Sequence, residues 1–260
     1  MKKARSVALL GAGNFTDSFV SKFHWLSDRL GPVKSTSFRL ASRIANSLRA
    51  GYPVKDYTEF HSCETLLVYV PDELLPGMLV DLASAGLDFR GKAVVLCSTW
   101  LDSGELRELT ALGAAAGSIG SIPGFDDSRY LIEGDPRAVR QSRLLVETRE
   151  RRGVVIESAL KPLYLAALTC TGSVLFGLLM AASESLRHAG IDSSISASIL
   201  ERQLVRTLRS YVRAGRKGFP APRDLARQLR ALAAADPGLA EYLEDSSRLA
   251  ERLNQRAGSR

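Results

Sequence analysis

The chain has 260 residues, 45% of them hydrophobic and 24% charged, with a formal net charge of +7. That length can bury the core of one large domain or two modest ones, and the composition excludes a disordered or fibrous chain. The positive charge points to an anionic partner, but no zinc-finger, basic-zipper or aromatic RNA-binding signature accompanies it, so nucleic acid is not the expected one.

The opening "MKKARSVALLGAG" imitates a secretory leader, yet its apolar run breaks at Asn14 and Asp17, and it reads as a first strand. "STSFRLAS" from Ser35, "TLLVYVP" from Thr65, "AVVLCST" from Ala93 and "GSIGSI" from Gly117 read as further buried strands. Between them lie helical segments such as "DELLPGMLVDLASAG" from Asp72 and "DSGELRELTALGAA" from Asp102. A parallel sheet with crossover helices requires this alternation. "RYLIEGD" and "GVVIES" add two strands around a helix running from Pro136 to about Arg151.

From Lys161 onward only helical periodicity remains. The expected class is therefore α/β: an N-terminal Rossmann-like parallel-sheet domain over residues 1–158 and an all-helical domain over 159–260. The run Leu163 to Ala182 is long enough to span a bilayer, but it contains Tyr164, Thr169, Thr171 and Ser173, and no second such segment exists. No membrane role is expected; the run reads as a helix buried at a domain centre or subunit interface. Its small residues Thr169, Ser173, Gly177, Ala181 and Ser185 recur every four positions, which would let another backbone come close. Cys63, Cys97 and Cys170 are scattered and odd in number, which suits reduced thiols in the cytoplasm.

At the end of the first strand, Gly11 permits a tight turn and Gly13 lets the backbone approach a pyrophosphate lying on the N-terminus of the next helix, with Asn14 and Phe15 following. Thr16 stands where a third small residue would complete the dinucleotide fingerprint. In the segment read as the second strand, "FRLASRIANS" offers Ser42 and Arg43 and no acid, which favours NADP(H) over NAD(H); the alternative is a solvated arginine on the following helix. The loops Val70, Pro71, Asp72 and Ser98, Thr99 end two further strands, where ligands bind in open α/β sheets.

Taken together, "LLGAGNF", "ASR", "VYVPDELL", "VLCSTWLDSGEL", "GSIGSIPGFDD", "YLIEGD" and "KPLYLAALTCTGS" stand in an order that resembles a Rossmann-like family whose helical C-terminal domain has no assigned function. That family is related to pyrroline carboxylate reductase, ketopantoate reductase and the wider 6-phosphogluconate dehydrogenase superfamily. The resemblance covers nearly the whole chain and implies an NADP-binding domain, a helical domain that forms a homodimer, and an active cleft between them. The chain departs from the family at three points. It has "SIPGF" where a histidine is usual near Ile122, Ser173 where an asparagine is usual, and "GFPAPRD" in place of a longer segment, keeping Pro220, Arg223 and Asp224.

Hydride transfer is mostly the cofactor's chemistry, and the protein supplies placement and a proton donor. The candidate donors are Lys161, Tyr164 and Ser173, with Arg223 as a contact to an anionic substrate. Arg206, Arg209, Arg213, Arg216 and Lys217 form a basic helix side, either a solvated face or a rim that draws anions. His24, His61 and His188 show no metal-ligand spacing, so no metal is expected. The expected function is an NADP(H)-dependent oxidoreductase acting on a small, anionic substrate. Its rivals are a nucleotide-binding sensor without redox chemistry and a basic interaction module on the same fold.

Overall fold

The computed structural model describes residues 6–15, 18–23, 26–220 and 222–255. Thr16 and His24, on which part of the sequence reading turned, lie outside the described residues.

Eight strands form one sheet: β1 (Val7–Gly11), β2 (Leu30–Lys34), β3 (Tyr52–Pro53), β4 (Thr65–Tyr69), β5 (Ala93–Cys97), β6 (Ala115–Ser121), β7 (Arg129–Gly134) and β8 (Arg152–Val155). Their order is β3-β2-β1-β4-β5-β6-β7-β8, parallel throughout except for the antiparallel β6–β7 pair. The first six strands thus follow the doubly wound order of dinucleotide-binding sheets. β1, β4 and β5 are nearly continuous apolar runs because helices cover both faces of a parallel sheet. Alternation along each strand divides its residues between two cores. Val7, Leu9, Leu67, Val95 and Cys97 enter one; Ala8, Leu10, Leu66, Val68, Val94 and Leu96 enter the other.

The helices of this part are α1 (Leu26–Arg29), α2 (Phe38–Leu48), α3 (Leu75–Ala83), α4 (Arg107–Ala111) and α5 (Pro136–Val146). The segment "STSFRLAS" is not a strand, a correction to the sequence reading. Ser37 caps α2, its Oγ accepting the Leu40 amide at 3.2 Å, and Ala41, Ile44 and Ala45 bury one helical face. The second strand is the preceding "LGPVK", whose Gly31 and Pro32 imitate a turn. Pro32 has no N–H to give the ladder, and the β1–β2 register shifts between Val7 and Leu9, opposite it.

The chain divides into two compact units, residues 1–165 and 166–260, a few residues beyond the boundary read from the sequence. One continuous apolar helix, Ser158–His188, begins in the first and ends in the second. It comprises α6 (Lys161–Thr169), a π-turn over Cys170–Val174 and α7 (Leu175–His188), and is followed by α8 (Ser193–Ala214), α9 (Leu225–Ala235) and α10 (Pro237–Gln255). Of the small-residue row, Gly177 meets a neighbouring helix through a side chain: a Cβ there would stand 3.1 Å from the Tyr242 hydroxyl of α10. Of the two settings expected for the apolar helix, the domain centre is corrected by its exposure within the chain, while the subunit interface is not tested by a single chain. None of its apolar stretch is buried within the chain, and Leu163, Phe176 and Met180 are 67%, 65% and 59% exposed. Among the described residues of the second unit only Ser196 and Ala240 are buried.

Candidate nucleotide site and the buried network beside it

The site begins where β1 ends. The Ala12 amide donates to the Tyr69 carbonyl at 2.9 Å, fixing the turn to the end of β4. Gly13 has φ +89°, a conformation that only glycine adopts without strain, and a Cβ there would stand 3.4 Å from Pro71 Cγ. Asn14 and Phe15 follow. The Phe15 side chain folds back into the core, packing edge-on against Tyr69 at 4.7 Å between ring centroids.

The sequence placed a helix N-terminus after this turn to receive a pyrophosphate. Among the described residues, however, only a single 3-10 turn (Phe19–Lys22) and the four-residue α1 precede β2. Phe15, Phe19, Phe23, Tyr69 and Tyr130 instead form an aromatic cluster. Among the described residues, what the turn presents at this edge of the sheet is backbone N–H groups and nearby basic side chains rather than a long helix dipole.

Those side chains lie on α2. Gly13, Asn14 and Phe15 line a cavity of about 790 Å³ together with Leu40, Arg43, Ile44, Asn46, Ser47 and Arg49. Positions 40, 43, 44 and 47 share one side of α2, widened by Asn46, and Arg43 lies within it while Ser42, half-buried, does not line the cavity. The true end of β2 also matters, because the ribose-reading residue of dinucleotide sites stands about 20 residues past the glycine turn. That spacing leads to Lys34 and Ser35, which sequence reasoning missed because it took β2 eight residues too far along. Neither is acidic. Lys34 Nζ donates to the Ser35 carbonyl at 2.7 Å and lies over the Tyr57 ring, while the buried Ser35 hydroxyl has no hydrogen-bond partner.

Further along the carboxyl edge of the sheet, Pro71 faces Gly13, Val70 is half-buried and Asp72 is exposed. In the loop after β5, Ser98 Oγ accepts the amides of Trp100 and Leu101 at 3.2 and 3.1 Å. This loop lies close against β6: a Cβ on Gly120 would stand 2.6 Å from the Ser98 carbonyl oxygen and 2.7 Å from Thr99 Cα.

Lys161 is 1% exposed. Its ammonium donates to Ser118 Oγ at 2.6 Å, to the Leu101 carbonyl at 2.5 Å and to the Ser98 carbonyl at 3.4 Å. All three N–H donors of the ammonium are therefore engaged within the first unit. Ser118 Oγ in turn donates to Glu133 Oε1 at 2.5 Å, and Glu133 also accepts the Ser103 amide and hydroxyl at 2.8 and 2.7 Å. Burial opposes ionisation of Glu133, but hydrogen bonds from Ser118, Ser103 and Ser158 outweigh it and hold the carboxyl below its ordinary value. Burial lowers the Lys161 ammonium against the opposing pull of Glu133 and Asp102. Tyr164, three residues on, has a phenol raised by burial and a hydroxyl with no partner.

In the second unit, Ser173 is exposed within the π-turn, and Arg223 is exposed before α9, its carbonyl accepting from Gln228 Nε2 at 2.7 Å. Arg202, Arg206, Arg209 and Arg213 recur along α8 beside an open groove of about 840 Å³. None of them forms an ion pair among the described residues. Between positions 201 and 230 there are nine basic side chains against two acidic ones, an excess equal to the net charge of the whole chain.

No family model matches the chain, and none of the curated proteins matches it. Solved structures do. A protein from Bacteroides fragilis proposed to be an NADP oxidoreductase superposes with a TM-score of 0.69 at 16% identity, covering 98% of each chain. An imine reductase from Aspergillus terreus, solved with NADPH4 and dibenz[c,e]azepine, gives 0.66 at 14% identity, covering 98% of this chain and 95% of that one. A reductive aminase from Aspergillus terreus, solved with NADPH and ethyl-5-oxohexanoate, gives 0.65 at 16% identity with the same coverage. The chain thus shares over nearly its full length the fold of these proteins, a Rossmann-type sheet followed by helices.

Proposed function

We propose that this protein is an NADP(H)-dependent oxidoreductase that reduces small carbonyl or imine compounds. The observation that carries the reading is the cavity that the glycine turn and Arg43 line together. The turn supplies N–H groups and close backbone approach, which suit a pyrophosphate, and the guanidinium suits a 2′-phosphate. The end of β2, with Lys34 and Ser35, offers no carboxylate to a free ribose hydroxyl. The fold is also that of proteins solved with NADPH. When bound, the nicotinamide supplies hydride; the chain's part is to hold the nucleotide along the carboxyl edge of the sheet and to present the substrate.

We further assign Val70, Pro71, Asp72, Ser98 and Thr99 to the path of the nucleotide, and Arg223 to the recognition of an anionic substrate. Tyr164, whose hydroxyl has no partner, is the better candidate than Lys161 for a proton donor. The exposed apolar helix supports a homodimer formed through the second unit. Titration with NADPH and NADH, followed by nicotinamide fluorescence and calorimetry, tests the reading. Tight binding that prefers NADPH supports it, and absence of binding by either nucleotide overturns it.

A second reading has one specific observation in its favour: the lysine that would supply a proton is fully engaged within the fold. In that case the protein binds the nucleotide as a sensor. NADPH binding without turnover across a panel of ketones, imines and keto acids would select it.

A further inference from the structure

Resting on the NADP(H) reading, we infer that Glu133 and Lys161 are positioning residues that act together to hold the loop Ser98–Ser103 as the wall of the nicotinamide end of the site. The two buried charges hold the loop at complementary points. Lys161 takes the carbonyls of Ser98 and Leu101, and Glu133 takes the amide and hydroxyl of Ser103. Ser118 Oγ, on β6, joins them by accepting from one and donating to the other. The loop is therefore held at both ends by a charge-balanced unit in which every contact is a charge-assisted hydrogen bond or passes through the shared hydroxyl.

The location gives this arrangement its meaning. The loop leaves the carboxyl end of β5, two strands from β1. At about 4.8 Å per strand it stands roughly 10 Å from the glycine turn, within reach of an extended dinucleotide lying along that edge. A network serving stability alone has no need to grip one loop at three carbonyl and amide groups, and the hydrophobic clusters on either side already fix β5 and β6. Neither charged group is itself open to a ligand, so both act through the loop.

The test uses the loop's own reporter. Trp100 lies within the loop and is 55% exposed; the sequence contains one other tryptophan, Trp25. In a Trp25→Phe background, Glu133→Gln and Lys161→Met each leave a buried charge unpaired, while the double variant leaves none. At a temperature where all four proteins are folded, the single variants are expected to bind NADPH about tenfold more weakly and to show Trp100 more open to acrylamide quenching. The double variant recovers to within about threefold of the parent. Ser103→Ala, which removes only one hydroxyl bond, gives a smaller loss in the same direction and keeps the test open if a charge variant fails to fold.

A purely structural role would lower the melting temperature and leave NADPH affinity and Trp100 quenching unchanged in the folded protein, and that result overturns the proposal with its premise intact. Failure of the parent itself to bind NADPH overturns it through the premise, and is recognised because it needs no variant.

Discussion

Phe15 lies across Gly11, so that a Cβ at position 11 would stand 2.7 Å from Phe15 Cζ. The ring is fixed by its edge contact with Tyr69, so it cannot yield cheaply. Gly11→Ala is therefore expected to cost about 1–3 kcal/mol. Adding Phe15→Leu should restore part of it, as thermal or urea denaturation would show. Full stability of the single variant would mean that the ring is not held there.

Arg43→Ala should separate the two nucleotides. If the guanidinium meets a 2′-phosphate, as proposed, it has no counterpart in NADH, so NADPH affinity should fall by about tenfold or more while NADH affinity stays as it was. An equal loss for both would place Arg43 on a part of the nucleotide that they share.

The Glu133 carboxyl is held below its ordinary value in the folded protein, so the unfolded chain binds the extra proton first. Its contribution is fully present above about pH 4.3, the free glutamic acid value, and is lost as pH falls through the lower folded value. In acid titration of stability, Glu133→Gln should flatten the slope below that point and leave other slopes unchanged. An unaltered profile would mean that the carboxyl carries no such linkage.

Gly177 presents two opposed effects of similar size. Alanine is favoured over glycine within a helix by about 1 kcal/mol, yet its Cβ would press on the Tyr242 hydroxyl at 3.1 Å. Gly177→Ala alone should therefore change stability little, whereas in a Tyr242→Phe background it should stabilise by nearly the full helical preference. Calorimetry of the four proteins measures the coupling, and additive effects would remove the contact from consideration.

The exposed side chains of the apolar helix give a direct prediction for assembly. Light scattering should report a dimer, and Phe176→Glu combined with Met180→Glu should yield a monomer, since both side chains are more than half exposed in the single chain. A monomeric parent would leave that helix without the proposed partner.

Much of the fold was legible because parallel strands buried on both faces must be apolar runs, as "VALLG", "TLLVY" and "AVVLC" are. β2 was not, because Gly31 and Pro32 carry turn chemistry, while Ser37 in the serine-rich segment beyond it caps a helix. Arg43, read from the sequence as ending the second strand, lies instead on α2, where it lines a cavity together with the glycine turn. The Glu133 network could not be read at all. Ser103, Ser118, Glu133 and Lys161 are distant in sequence, and no period or motif connects a carboxylate on one strand with an ammonium at a helix start.

The concentration of basic side chains between positions 201 and 230 leaves the remainder of the chain electrically balanced, with 26 charges of each sign. The excess positive charge is thus concentrated in one stretch of the sequence, within the second unit, rather than spread evenly along the chain. On a cation exchanger it should be retained by that one short segment, and an anion in solution should meet a directed field. Encounter rates with nucleotide or anionic substrate should then fall as ionic strength rises while departure rates hold nearly constant, a kinetic signature of attraction by a concentrated basic tract.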